Sequence, residues 1–210
     1  MKSENKNKIG ARNASPFSKI EKVHPVKMLL YLCLIGIGVL FLMLLLAYAQ
    51  TEAINLKLLK VSFPRFFSVS SILILISSYT ISRAPKNYAK DKLGKMCRSL
   101  GITLVVSLLF ICSQVLGWYE LAQNGIYFKG KPFGSYLYLI TALHALHVAA
   151  GIIFLIYVYL KTLSVSRDDI RTLFYIRDPF RKLQLSLLTT YWHFLGGLWI
   201  CLFLTFLFML

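Results

Sequence analysis

The chain has 210 residues, of which 57% are hydrophobic and 15% charged, and its lysines and arginines outnumber its aspartates and glutamates by 24 to 8. The hydrophobic residues form long uncharged blocks and the basic residues lie between these blocks, a pattern typical of a membrane protein. This distribution argues against a nucleic-acid partner, because such a partner would need the positive charges together on one surface.

Five uncharged blocks predict an all-α membrane protein with a bundle of five transmembrane helices. A helix needs about 20 residues to cross a hydrocarbon core of about 30 Å. The second block has 17 residues, so we expect Arg65 and Arg83 to reach outward from its two ends. The predicted spans are residues 28–49, 66–82, 99–119, 136–160 and 183–210.

The basic residues predict how these spans are oriented. With five spans, nineteen lysines and arginines fall on the side of the amino terminus and five on the opposite side. The positive-inside rule therefore predicts a cytoplasmic amino terminus and an outside carboxyl terminus, and we call these the inner and outer sides. Residues 1–27 are predicted to form a basic polar cytoplasmic tail and residues 28–210 the transmembrane domain. Because this polar tail precedes it, the first span is expected to be an uncleaved membrane helix.

The second span is rich in small hydroxyl side chains. In a lipid environment such residues favour a helix–helix contact, where backbones approach closely and weak hydrogen bonds form. A polar path through the membrane is the alternative interpretation. The residues concerned are Ser68, Ser70, Ser71, Ser77, Ser78, Thr80 and Ser82.

The third span ends at the aromatic residues Trp118 and Tyr119, followed by Glu120. At 1.5 Å per residue, Glu120 lies about 33 Å from the inner boundary and therefore at the outer interface. None of the predicted spans contains an aspartate or glutamate. This argues against a proton-coupled transporter, which usually holds carboxylates within the membrane.

The fourth span places two histidines in an uncharged run. On a helix with 100° per residue, Thr141, His144, His147 and Gly151 share about one third of the surface, so the helix has a polar seam.

The fifth span has a similar seam, formed by Ser186, Thr189, His193 and Gly197. His147 should lie about 16 Å from the outer boundary and His193 about 15 Å from the inner one. Two adjacent antiparallel helices could therefore bring these histidines together.

Three interpretations of the histidines stay open. Neutral imidazoles could hydrogen-bond across helices that Gly151, Gly196 and Gly197 allow to approach closely. His147 and His193 could instead ligate a haem from facing helices. Lipid head-group binding or proton conduction is the third interpretation.

Two stretches carry a resemblance to a known family. Residues 136–151 read Tyr-Leu-Tyr-Leu-Ile-Thr-Ala-Leu-His-Ala-Leu-His-Val-Ala-Ala-Gly, and residues 190–199 read Thr-Tyr-Trp-His-Phe-Leu-Gly-Gly-Leu-Trp. They resemble subunit III of haem-copper terminal oxidases, whose helices read Thr-Gly-Leu-His-Gly-Leu-His-Val and Tyr-Trp-His-Phe-Val-Asp-Val-Val-Trp. Residues 117–126 and the pair Ser77 and Ser78 are also similar to this family, and the five-span layout is similar to its shorter bacterial members.

The resemblance implies an accessory, non-catalytic subunit in the bacterial inner (plasma) membrane. Its oxidase would reduce oxygen to water in aerobic respiration. The implied partners are the catalytic subunit I, subunit II, other respiratory complexes and phospholipids. Haem and copper are expected on partner subunits, with no cofactor or metal on this chain, and the family is associated with a route for oxygen. A haem b-binding anchor of a respiratory dehydrogenase and a small membrane transporter are the alternatives.

The resemblance also implies a set of helix-contact or lipid-contact residues. Gly196 stands where the family usually has an aspartate, and no glutamate matches the family's buried one near Ser77. A proton role based on carboxylates is therefore not expected. The implied contact residues are Ser77, Ser78, Glu120, His144, His147, Gly151, Trp192, His193, Gly196 and Gly197.

Overall fold

The computed structural model describes residues 24–55, 65–128, 132–166 and 169–209. Five helices in these ranges are long and apolar enough to cross a membrane, which confirms the predicted all-α fold with five spans. The orientation of the spans stays a prediction, and most of the predicted tail lies outside the described residues. The helices are α1 (Pro25–Asn55), α2 (Arg65–Tyr88), α3 (Leu93–Gln123), α4 (Pro132–Val165), α5 (Asp169–Arg177) and α6 (Pro179–Met209).

The second span is longer than its uncharged block suggests. Helix α2 has 24 residues and continues past Arg83 to Tyr88, with Pro85 in its last turns. At 1.5 Å per residue this length is about 36 Å, enough to cross a hydrocarbon core. Arg83 does not extend outward as expected. Its guanidinium folds back to donate to the Tyr79 hydroxyl and lies 4.6 Å from the centre of that ring.

Helix α2 pairs most closely with α3, and α6 packs against α2, α4 and α1. Helix α1 is peripheral. Its buried side chains are Leu34, Phe41 and Tyr48, which are seven residues apart and form one narrow stripe. This spacing is that of a coiled-coil seam. Helix α1 therefore contacts the bundle along a single line and leaves most of its described surface exposed.

A short helix, α5, lies between the fourth and fifth predicted spans, in a segment where no helix was predicted. Tyr175 anchors it. The Tyr175 hydroxyl pairs with the Thr162 hydroxyl at 3.1 Å, and Tyr88 donates to the Tyr175 and Asp178 carbonyls, both at 3.0 Å. Burial raises the pKa of Tyr175, because a phenolate there would lose its hydration. These bonds join the inner ends of α2 and α4 to the segment that leads into α6.

Candidate functional site

Serines of α2 face aromatic residues of α6 across a helix contact that we call the serine interface. Its residues are Ser71, Ser77, Ser78 and Ser82 on α2 and Trp192, His193 and Trp199 on α6. The indole N–H of Trp192 donates to the Ser77 hydroxyl at 3.1 Å, and that of Trp199 donates to the Ser71 hydroxyl at 3.0 Å. Each serine also donates to a carbonyl of its own helix. Donors and acceptors are therefore paired within this buried contact.

His193 completes the interface with both ring nitrogens. Its Nδ1 lies 2.6 Å from the Ser78 hydroxyl and its Nε2 lies 3.0 Å from the Ser82 hydroxyl. Ser82 already donates its hydroxyl hydrogen to the Ser78 carbonyl, so it accepts from Nε2–H. In the tautomer that carries its hydrogen on Nε2, Nδ1 accepts the hydroxyl hydrogen of Ser78. Four serines of the second span thus lie where α2 meets α6.

The His193 ring nevertheless lies at the surface of the bundle, where two cavities meet along α6. We call this surface the α6 groove. The inner cavity has a volume of about 550 Å³ and its lining includes Lys182, Ser186 and Thr189. The outer cavity has a volume of about 500 Å³ and its lining includes Gly197. The inner half of the groove therefore presents polar side chains beside His193, whereas the outer half is lined mostly by apolar residues of α1 and α6.

His144 lies at the centre of the bundle, with none of its surface exposed. Its ring centroid is 5.1 Å from that of Trp199, 6.0 Å from that of Phe110 and 6.2 Å from that of Phe41. These contacts bring α1, α3, α4 and α6 together around one imidazole. Neither ring nitrogen has a hydrogen-bond partner within the described part of the chain. His144 therefore joins the helices by ring packing and not by the hydrogen bonds expected of it.

His147 and His193 are engaged separately, although the sequence placed them at one level. The Nδ1 of His147 lies 2.7 Å from the Leu143 carbonyl of its own helix, and the His147 carbonyl accepts from the Tyr191 hydroxyl at 2.9 Å. Both nitrogens of His193 pair with α2. No group of three or more His, Cys, Asp and Glu residues suited to a metal ion occurs among the described residues. This geometry gives no support to haem ligation by the pair.

The three glycines expected at helix contacts have different surroundings. A Cβ added at Gly151 would lie 2.9 Å from Cε1 of Tyr191 and 3.1 Å from Cζ3 of Trp192, so this position requires glycine for the approach of α4 and α6. At Gly196 a Cβ would make ordinary contacts of 3.8 Å with Ile74. At Gly197 it would meet nothing within 4 Å, because Gly197 faces the α6 groove.

The outer end of the bundle is joined by a second set of polar contacts. Trp118 donates its indole N–H to the Thr141 hydroxyl at 3.0 Å, and Tyr138 donates back to the Trp118 carbonyl at 3.1 Å. A carboxylate oxygen of Glu120 accepts the backbone N–H of Phe66 at 3.4 Å. Phe66 belongs to the first turn of α2, where a negative charge is favourable. Glu120 therefore joins the outer ends of α3 and α2.

Sequence reasoning did not identify every residue of these contacts. Trp199 belongs to the serine interface but was not singled out as a contact residue, and Ser71 and Ser82 were named only among the hydroxyls of the second span. Their spacing contains a usable signal, because Ser71, Ser78 and Ser82 lie seven and four residues apart and Trp192 and Trp199 seven apart.

Known proteins resemble this chain over most of its described length. The family described as cytochrome c oxidase subunit III matches residues 61–209. The probable cytochrome c oxidase subunit 3 of Mycobacterium leprae is 27% identical over 63% of this chain and 61% of its own length. The cytochrome bo(3) ubiquinol oxidase subunit 3 of Pseudomonas putida is 27% identical over 66% of this chain and 62% of its own length. The probable cytochrome c oxidase subunit 3 of Rickettsia prowazekii is 32% identical over 68% of this chain and 47% of its own length. The chain thus spans less than two thirds of the length of these relatives.

Proposed function

Because the chain belongs to the cytochrome c oxidase subunit III family, we propose that it is an accessory subunit of a haem-copper terminal oxidase. The oxidase would reduce oxygen to water in aerobic respiration, with its haem and copper on partner subunits. The names of the relatives include both cytochrome c and ubiquinol oxidases. The site that takes electrons from cytochrome c or from quinol would lie on the partner subunits. We therefore propose only an accessory role for this chain. With bacterial relatives and five spans, the bacterial inner membrane is the proposed location.

The observation that carries this role is the exposure of His193 deep within a transmembrane span. His193 is eleven residues from Lys182, which corresponds to about 16 Å along the helix. A polar ring at that depth is unfavourable against lipid and usually faces a protein or a water-filled cavity. Small residues beside it, such as Gly197, would allow another helix to approach closely. We therefore assign the α6 groove as the surface that packs on the catalytic subunit I.

The inner half of the groove suits a bound phospholipid. Lys182 lies in its lining, near the predicted inner boundary, together with the hydroxyls of Ser186, Thr189 and Thr190. A cation with several hydroxyl donors matches the phosphate of a lipid head group, and the Asp91 carboxylate in the same lining favours a head group that also carries an amine. The apolar surface deeper in the groove would then contact the acyl chains. In the proposed complex, this lipid fills the space between the subunit and its partner at the inner side.

The alternative of a haem b-binding anchor needs two free imidazoles at one level. His193 has both nitrogens hydrogen-bonded to α2, and His144 and His147 lie on the same helix, α4. No observation among the described residues favours this alternative. The accessory role therefore stands as the single proposal for this chain.

Two matched substitutions test the proposal. Gly197→Leu would place a large side chain in the α6 groove, whereas Gly36→Leu would place one on α1, where a Cβ also meets nothing within 4 Å. Neither change should destabilise the isolated chain. Gly197→Leu should reduce co-purification with the haem-bearing partner in mild detergent, and Gly36→Leu should not. Wild-type recovery of the Gly197→Leu complex would refute this assignment of the interface.

A further inference from the structure

Two polar side chains inside the bundle, Gln114 and His144, have no hydrogen-bond partner among the described residues. Gln114 is 1% exposed and His144 is fully buried. Neither the amide nitrogen nor the amide oxygen of Gln114 is paired within the described residues, and the same is true of both ring nitrogens of His144. Buried polar side chains nearly always have a partner, either in the protein or in ordered water. Two such side chains therefore point to a molecule that binds between them.

The helix register places these two residues at nearly the same level of the bundle. Trp118 on α3 bonds to Thr141 on α4, so these two residues lie at one level. Gln114 is one turn inward from Trp118 and His144 is one turn inward from Thr141. Gln114 therefore lies about 6 Å inward from the level of Trp118, and His144 lies about 4.5 Å inward from the level of Thr141. Their levels differ by about 1.5 Å. Phe110, a further turn along the same face of α3, touches the His144 ring.

The unpartnered atoms define the chemistry of the occupant. The Gln114 amide offers two donor hydrogens and one acceptor, and a neutral imidazole offers one donor and one acceptor. An occupant must therefore both donate and accept hydrogen bonds, and it must be small, because Trp199, Phe41 and Phe110 enclose the imidazole. A metal cation cannot accept hydrogen bonds from the amide N–H. Water meets these requirements, since a buried water typically makes about three hydrogen bonds to otherwise unpaired groups.

We propose that Gln114 and His144 form a binding site for one or two ordered water molecules at the centre of the bundle. This water would bridge α3 and α4 one turn inward from the Trp118–Thr141 bond. At this level the His144 ring also packs against Phe41 of α1 and Trp199 of α6. The site is independent of the proposed oxidase role, because Gln114 and His144 lie within this chain and neither residue lines the α6 groove.

The first test uses the unaltered full chain in lipid bilayers with ¹⁵N-labelled histidine and glutamine. Solid-state NMR would measure magnetisation transfer from water to the imidazole nitrogens, with the His144 signals identified by their loss in His144→Asn. Transfer from water to the His144 nitrogens is the expected result. Its absence, or a direct through-bond coupling between His144 and the Gln114 amide, would overturn the proposal. This result does not depend on whether a Gln114 variant folds.

A second test separates this site from general hydration of the bundle. Gln114→Leu removes the amide that would hold the water. It should abolish or strongly weaken magnetisation transfer from water to the His144 nitrogens and leave the transfer to the His193 nitrogens unchanged. Trp118→Phe is the matched control, because it removes a neighbouring bond between the same two helices and leaves Gln114 and His144 in place. It should preserve the His144 signal. Unchanged transfer to His144 in Gln114→Leu would contradict the proposed site.

Discussion

The indole N–H of Trp192 donates to the hydroxyl of Ser77 across 3.1 Å, and both side chains are almost completely buried between α2 and α6. Lipid offers no hydrogen bonds in place of water, so helix association in a membrane depends on close packing and on such polar contacts. One serine thus connects a helix rich in hydroxyls with the Trp-His-Phe stretch of the last span. Related bonds join the neighbouring residues Ser78 and His193 and, about two turns away, Ser71 and Trp199.

Ser77→Ala should destabilise the chain by about 1–3 kcal/mol, because it leaves the buried indole N–H of Trp192 without an acceptor. Unfolding of the purified chain by SDS titration in bicelles would measure the change. Ser68→Ala is the control, since Ser68 lies on the exposed side of the same helix. Equal stability of the two variants would show that the Trp192–Ser77 bond does not support the contact.

Gly151→Ala should also destabilise the chain, by about 1–3 kcal/mol, because the added methyl group would overlap the rings of Tyr191 and Trp192. The Trp192 ring is fully buried and has little room to move. Gly36→Ala should have almost no effect on the same unfolding measurement, since nothing lies near that position. A Gly151→Ala chain as stable as Gly36→Ala would mean that α4 and α6 are not in close contact there.

Tyr88→Phe should release the inner loop without unfolding the bundle. The Tyr88 hydroxyl is the donor to the Tyr175 and Asp178 carbonyls that fix the end of α5. Hydrogen–deuterium exchange should therefore become faster in residues 169–178 and stay unchanged in the middle of α4. Tyr119→Phe, at an exposed position, provides the control. Unaltered exchange in residues 169–178 would show that other contacts hold α5.

The number and position of the transmembrane helices could be predicted because uncharged blocks of sufficient length have few alternatives in a membrane protein. Their ends could not, since helices continue into the interface beyond the first charged residue. Helix α2 shows this, as it runs past Arg83 to Tyr88. Helix α5 was missed because nine residues of mixed polarity carry little periodic signal, and its position depends on Tyr175 packing against other helices.

The sequence indicates which types of residue make contacts between helices, but it does not indicate which residues contact each other. A helical wheel shows which side of a helix is polar, yet it does not show which neighbour that side meets. His193 was therefore placed opposite His147, whereas the structure pairs it with Ser78 and Ser82 on another helix. His144 was expected to hydrogen-bond, but the sequence could not show that aromatic rings from three other helices would surround it.

The account rests on the proposal that this chain binds a larger haem-copper partner through the α6 groove and carries no redox group itself. The most direct measurement is to purify the complex in mild detergent, separate this chain from it, and record the absorption spectrum and metal content of each part. We predict that all haem and copper stay with the partner and that the isolated chain shows no Soret band. A Soret band or bound copper on the isolated chain would contradict the account.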